Sequence, residues 1–381
     1  MPEPDTAPIS VSNHPPSVPV GHVSNVSDAR SATGEQSDTR EPRSTADKMK
    51  VVFYSHALGR GGAERWLVDL ATGLSREKFD ATIVLDRGYR DRALIRQASA
   101  VRVVALAKWN KCESVDAMVC WSEIPRKIKA KQTVFCLHGS GPFARNVAKD
   151  VGGVPGVHLT AVSEAAAELF APYGATTTIY NGCDPGRLKP QVGGDAIRES
   201  LGIGPRTLVV GFLGRLAAVK QPHLVARAVA RLRQKGIDVR AIFVGDYQGH
   251  NRHRAKQVMS IDEQAIFTGP KEAIGDYVAA MDVMMLPSQA EGFSLAKIEA
   301  WLAGVPVVAT PVGAIPELER EHGSLVVRID PEADDDALAD AVELAASPRN
   351  AAVVAYARKL SWREFTRDEM TARWERYLLS L

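Results

Sequence analysis

The stretch LPSQAEGFSLAKIEAWLAGVPVVAT, residues 286–310, joins a strand end, a tight loop, a helix and a second strand. Before it, DVMMLPS reads as an apolar strand ending at Pro287. The spacing predicts a helix that starts at Ser294 as its N-cap, runs through LAKIEAWLAG and stops at Gly304. Gly292 lets the backbone approach a ligand closely, and the free N–H groups of Phe293, Ser294 and Leu295 point past the strand ends. A helix start of this kind favours an anion, and a diphosphate suits it. Glu291 precedes the helix and Glu299 lies within its first turns, so the two carboxylates can reach different parts of one ligand. Carboxylates accept pairs of hydrogen bonds from vicinal hydroxyls. Taken alone, the two are equally a loop charge and a helix-surface charge.

Outward from this stretch, short apolar runs alternate with helical ones. On the N-terminal side lie MKVVFYSH, ATIVLD, VRVVALA, AMVCW, TVFCLHG and HLTAVS; on the C-terminal side TLVVGFLG, VRAIFVGD, AIFTG, DVMMLPS, VPVVAT and SLVVRI. Nearly continuous apolar strands separated by helices predict an α/β architecture with parallel, doubly wound sheets covered on both faces. The loop NGCDPGRLKPQVGGD, residues 181–195, reads as the connection between two such units. Two sheets facing each other would leave a cleft at their strand C-termini. After the first strand, GRGG (residues 59–62) precedes a helix with Ala63, Trp66, Leu67, Leu70, Ala71 and Leu74 on one face. The chain closes with SWREFTRDEMTARWERYLLSL, read as one amphipathic helix with Trp362, Phe365, Met370, Trp374 and Leu378 as its apolar positions. The expected domains are residues 48–190, completed by a C-terminal helix at 362–381, and residues 191–361. Residues 1–47 hold seven prolines, eight serines and no aromatic residue, so this tail is expected to be disordered.

The segment around Glu291 and Glu299 resembles the E-x7-E signature of glycosyltransferase family 4, retaining enzymes of the GT-B fold. GFSLAKIEAWLAGVPVVAT follows that family's pattern nearly throughout. The resemblance implies two Rossmann-like domains facing across a cleft, the C-terminal one holding a nucleotide-sugar donor. Carried over, Glu291 faces hydroxyls of the transferred sugar, Glu299 holds the ribose, and the backbone from Gly292 to Leu295 receives phosphate and sugar oxygens. In VVGFLGRLAAVK, Gly214 and Arg215 follow a strand and Lys220 comes five residues later. Two cations there can neutralise a leaving diphosphate, and the resemblance assigns them to its distal phosphate. Gly61 and Gly62 resemble the family's glycine-rich loop, and His138 stands where the family has a histidine near the reacting sugar. A satisfied core histidine is the other reading of His138. Ser163 and Asn181-Gly182 also match family positions and read as turn and hinge elements.

The resemblance implies hexosyl transfer with retention from a UDP- or GDP-linked donor, without a metal or other cofactor. The acceptor would be a glycan, a lipid-linked glycan or a small molecule. Two rival readings are another GT-B enzyme, such as a nucleotide-sugar epimerase or a phosphorylase, and a non-catalytic nucleotide-sugar binder. ADDDALAD, residues 333–340, contains a DxD pattern but reads as the acidic cap of a helix. The dinucleotide fingerprint GxGxxG is absent after the first strand, which argues against a dehydrogenase.

Composition agrees with a globular enzyme, at 45% hydrophobic and 24% charged residues. A net charge of +2 gives no nucleic-acid signature. Residues 86–150 carry thirteen Lys/Arg against six Asp/Glu, which suits a solvated basic face or contact with an anionic membrane surface. Cys112, Cys120, Cys136 and Cys183 show no metal-finger spacing, and Cys120 and Cys136 sit in apolar runs. This usage suits a reducing compartment, and a cytoplasmic enzyme is the expectation, with peripheral contact at the inner face of the membrane as the alternative.

Overall fold

The computed structural model describes residues 48–381 apart from 87, 89 and 111; the tail expected to be disordered, residues 1–47, lies outside the described residues. Strands β1 (Met49–Ser55), β2 (Phe79–Leu85), β3 (Arg102–Ala105), β4 (Ser114–Cys120), β5 (Lys129–Leu137), β6 (Val157–Ala161) and β7 (Thr176–Thr178) form one sheet, ordered β3-β2-β1-β4-β5-β6-β7. Strands β8 (Leu208–Leu213), β9 (Val239–Val244), β10 (Ile266–Gly269), β11 (Val283–Leu286), β12 (Val307–Ala309) and β13 (Val327–Arg328) form the other, ordered β10-β9-β8-β11-β12-β13. Every pairing in both is parallel. In each sheet the chain works outward from the first strand, then returns beside it and proceeds the other way. The strand order therefore switches between β1 and β4 and between β8 and β11, where loops diverge and leave a crevice.

The helices of the N-terminal half are α1 (Gly62–Gly73), α2 (Arg92–Gln97), α3 (Pro142–Gly152) and α4 (Glu164–Ala167). Those that follow are α5 (Gly194–Ser200), α6 (Pro222–Gln234), α7 (Arg252–Ile261), α8 (Ile274–Ala279), α9 (Leu295–Ala303), α10 (Ile315–His322), α11 (Asp335–Ala346), α12 (Ala351–Glu364) and α13 (Arg367–Leu379). Residues Val51 to Ser55 of β1 are all buried, because helices cover both faces of the sheet. No helix among the described residues is long and apolar enough to cross a membrane.

Two features depart from the sequence reading. The single closing helix is two, α12 and α13, broken at Phe365 and Thr366. Thr366 is extended and caps α13 by accepting from the Glu369 N–H at 3.3 Å. The same residue pairs with the connector: Cys183 N–H donates to the Phe365 carbonyl at 2.9 Å and Arg367 N–H to the Cys183 carbonyl at 2.7 Å. A pairing that captures the backbone there cannot continue a helix. Trp362, expected on the apolar face, is half exposed at the end of α12, its indole N–H on the Leu302 carbonyl at 3.1 Å. The second departure is β7, whose TTT sequence carries no apolar alternation and sits at the sheet edge. The connector and the α12–α13 link thus run side by side where the chain passes between the halves.

Candidate active site

The loop after β11 and the start of α9 lie at the second sheet's switch point. Glu291 is largely buried. Lys220 Nζ donates to its Oε1 at 2.5 Å and Ser288 Oγ to the same oxygen at 2.7 Å. Among the described residues Oε2 has no partner and is left to accept from a ligand. The Ser288 carbonyl accepts from Thr310 Oγ1 at 2.5 Å, and Gln289 N–H donates to the Val219 carbonyl at 2.8 Å, tying the β11 loop to its neighbours. Arg215 and Lys220, expected to act together on a leaving diphosphate, are thus in different settings. Lys220 and Glu291 are bonded to each other, while Arg215 is exposed past β8. Gly214 beside it has φ +144°, a backbone side chains rarely adopt, and its carbonyl packs against Gly245, where a β-carbon would have no room.

Helix α9 ends on Gly304 in the left-handed region at φ 79°, as the sequence indicates, but its start differs. Ser294 sits at φ 65° and ψ 90°, and its hydroxyl caps nothing. Such a backbone is rarely adopted outside glycine and stores strain. It leaves the N–H groups of Phe293, Ser294 and Leu295 without an acceptor among the described residues. Phe293 keeps its ring in the core, stacked on Tyr180 at 5.6 Å and edge-on to Phe365 at 5.3 Å, so only its backbone is available to a ligand. Glu299 is 6% exposed and accepts from Arg187 Nη1 at 2.7 Å. Arg187, in the connector, was not singled out from the sequence. Basic residues in a Gly/Pro-rich loop carry no spacing signal.

The N-terminal half meets this loop directly. Gly292 was expected to admit a ligand; instead its Cα faces the His138 carbonyl, and a β-carbon there would lie 2.9 Å from Val162 Cγ2. Ser140 Oγ donates to the Glu291 carbonyl at 2.7 Å, completing the seam. His138 follows β5 with its ring 4.3 Å from Trp66 and 6.2 Å from Trp121, centroid to centroid. Its Nε2 is buried without a partner among the described residues, and burial alone pushes the imidazole down to about 3. The ring is therefore neutral at physiological pH and can exchange a hydrogen bond without carrying charge. Gly61 is the N-cap of α1, and a β-carbon on Gly62 would lie 3.7 Å from Leu295 Cδ1, so this loop does lie against the start of α9. The Glu64 carboxylate folds back beneath Gly59 and Gly61. Burial raises its pKa, and the charge of Arg215 across the gap works to lower it.

A constellation not found from sequence sits at the ends of β1, β2 and β4. His56, Asp86 and Glu123 bring their potential ligand atoms within 4.8 Å of one another. His56 Nδ1 is 3.5 Å from Asp86 Oδ2 and 3.6 Å from Glu123 Oε1, and Tyr54 OH donates to Glu123 Oε1 at 2.6 Å. His56 and Asp86 directly follow β1 and β2, and Glu123 comes shortly after β4; a place just past a strand end is the one sequence signal that could have located them. Ser163 caps α4 by accepting from Ala166 N–H at 3.2 Å, a structural role. In the DxD look-alike, Asp334 caps α11 from Ala337 N–H at 2.8 Å, while Asp335 and Asp336 pair with Arg227 and Arg231 of α6.

Residues 207–347 match the family model described as glycosyl transferases group 1. The D-inositol 3-phosphate glycosyltransferase of Rhodococcus erythropolis is 32% identical over 202 residues, covering 49% of this chain and 46% of that protein. The chain thus spans about half the length of the curated relatives it matches. Among solved structures, Anabaena Alr3699/HepE in complex with UDP-glucose superposes with a TM-score of 0.73 at 24% identity, over 87% of this chain and 100% of that one. The glycosyltransferase from Rickettsia africae ESF-5 gives a TM-score of 0.68 at 15% identity, over 87% and 98%. Fold and likeness together define the class: this is the GT-B architecture of two facing Rossmann-like sheets. Within that class the chain resembles the family 4 glycosyltransferases. The segment that matches the group 1 model is the one carrying Arg215, Lys220, Glu291 and Glu299.

Proposed function

We propose that this chain is a retaining, metal-independent glycosyltransferase moving a hexose-type sugar from a UDP- or GDP-linked donor to an acceptor hydroxyl. The division into a donor domain, residues 191–361, and an acceptor-side domain, residues 48–190 completed by α13, belongs to the same reading. The observation that carries it is the mouth of α9. Unpaired N–H groups at Phe293 to Leu295 stand beside a Lys220–Glu291 pair, with Arg215 exposed nearby and neutral His138 opposite.

Cleavage of the bond between the anomeric carbon and phosphate develops negative charge on the diphosphate and positive charge on the sugar. Arg215, Lys220 and the backbone donors answer the first; fixed dipoles in a closed cleft do so at little reorganisation cost. These cations take the part that a divalent ion plays in other transferases. Glu291, fixed through Oε1, offers Oε2 to sugar hydroxyls. The departing phosphate takes the acceptor's proton as the acceptor attacks the same face, which keeps the anomeric configuration. His56, Asp86 and Glu123, partly open at the strand ends, would accept hydrogen bonds from a hydroxyl-rich acceptor.

Glu291→Ala and Lys220→Ala are each expected to lower transfer by on the order of 10²-fold or more with the melting temperature nearly kept. Because the two are bonded, the double variant should lose little beyond either single one. Transfer rates near wild type for both single variants would refute the assignment. Incubation with donor alone separates the rivals: an epimerase changes the donor without acceptor, and slow donor hydrolysis excludes a pure binder.

A further inference from the structure

The scheme above gives no part to Arg187, which lies in the short helical turn Pro185–Leu188 of the connector. Its guanidinium is mostly buried and donates from Nη1 to Glu299 Oε1, while its Nε is buried with no acceptor among the described residues. Asp69 of α1 is 6% exposed, and its Oδ2 is buried with no donor. The two groups sense each other's charge, as Arg65, one turn earlier on α1, senses both Asp69 and Glu299. Burial pushes Asp69 up to about 6, and Arg65 and Arg187 hold it below what burial alone would give; Asp184 and Arg367 are the other charges that reach it. Burial works to lower Arg187, and Glu299 and Asp69 outweigh it. Two carboxylates and two guanidiniums, drawn from α1, the connector and α9, therefore form a charge-balanced group, its carboxylates buried and its two arginines partly exposed. An isolated Asp69 carboxylate would be costly in that place, so its neighbours are what permit it.

We infer that Arg187 is a positioning residue for the nucleotide: it fixes Glu299 of the donor domain through one oxygen, leaving the other to the ribose diol, while Asp69 of α1, which makes no ion pair with it, steadies the guanidinium by its charge alone. The inference rests on Glu299 holding the ribose. Under it, nucleotide affinity depends on two side chains outside the donor domain, Arg187 by its contact with Glu299 and Asp69 by its charge. A guanidinium suits this task because it donates to a carboxylate in a fixed direction and keeps its charge when buried.

The test uses the full chain with UDP and GDP as calorimetric probes, followed by donor KM and kcat with whichever nucleotide binds. Arg187→Met should weaken nucleotide binding about tenfold or more, the scale of a charge-assisted hydrogen bond, raising donor KM more than it lowers kcat. Arg187→Lys should recover part of the loss, since one donor to Glu299 remains. Asp69→Asn, which keeps the shape, should weaken binding in the same sense by about threefold, and by almost nothing when Arg187 is already Met. Folding is followed by thermal melting, and Asp69→Asn and Arg187→Lys serve if Arg187→Met does not fold. Nucleotide affinity within twofold of wild type for Arg187→Met, or full additivity of the two losses, overturns the inference. If Glu299→Gln weakens binding and Arg187→Met does not, the positioning role alone fails. If Glu299→Gln binds like wild type, the ribose reading falls and the inference with it.

Discussion

At the scale of single residues, Lys297 shows what burial does to a charge. It lies in the first turn of α9, fully buried, with Nζ lacking a hydrogen-bond partner and set 4.9 Å from the ring centroids of both Phe293 and Trp301. Burial lowers its pKa to about 8, although Glu291, Glu317 and Glu319 pull the other way. Below pH 8 folded and unfolded chains both hold the proton, and the full desolvation cost is carried. Between about 8 and the ordinary 10.5 the unfolded chain holds the proton and the folded one sheds it, so stability climbs with pH. Lys297→Met should therefore raise stability at pH 7 by on the order of 3 kcal/mol and abolish that climb, read from urea midpoints at pH 7 and 10. A variant no more stable at pH 7, with the wild-type pH slope, would contradict this account. Glu291 and Glu299 were legible in the sequence because their spacing belongs to a pattern. Lys297 was not, because helical periodicity does not show that α8 and α12 also pack against α9. Arg187 escaped for a related reason: its partner Glu299 lies 112 residues further along the chain.

At the scale of elements, the apolar strands were readable wherever both faces are buried, as in β1, β4, β8 and β11, since a continuous run of Val, Met and Phe admits little else. Elements fixed by tertiary pairing were not. The α12–α13 break depends on the Cys183 bridge, and β7 on the edge it joins. Ser294 looked like a cap by residue type, yet the loop from Glu291 holds it at φ 65° and turns its hydroxyl away from the task. The acidic run that opens α11 was legible as a helix cap, because a caps-and-dipole reading needs only local geometry. Asp334→Ala should cost about 1 kcal/mol in thermal stability while leaving transfer unchanged, with or without EDTA in the assay. Lost transfer in that variant, or a wild-type rate that falls on chelation, would restore the metal reading.

At the scale of the whole molecule, the two halves are joined by more than the connector. Helix α13 returns to pack on α1, where Trp374 lies 5.5 Å from Trp66, which in turn backs His138 at 4.3 Å. The last helix thus supports a site residue from two aromatic layers away. Trp374→Ala should cost about 3–5 kcal/mol and lower kcat along with it, whereas Trp374→Phe keeps most of both. Loss of stability with an unchanged kcat would confine α13 to a packing role.

Where Gly292 abuts the His138 carbonyl, peptide meets peptide with no rotamer in between. Such a joint behaves as a mechanical stop: the width of the shut gap is dictated by covalent dimensions that drift elsewhere in the chain does not retune. Preference for a new acceptor could then evolve through side chains around the rim while the reacting atoms keep their separation.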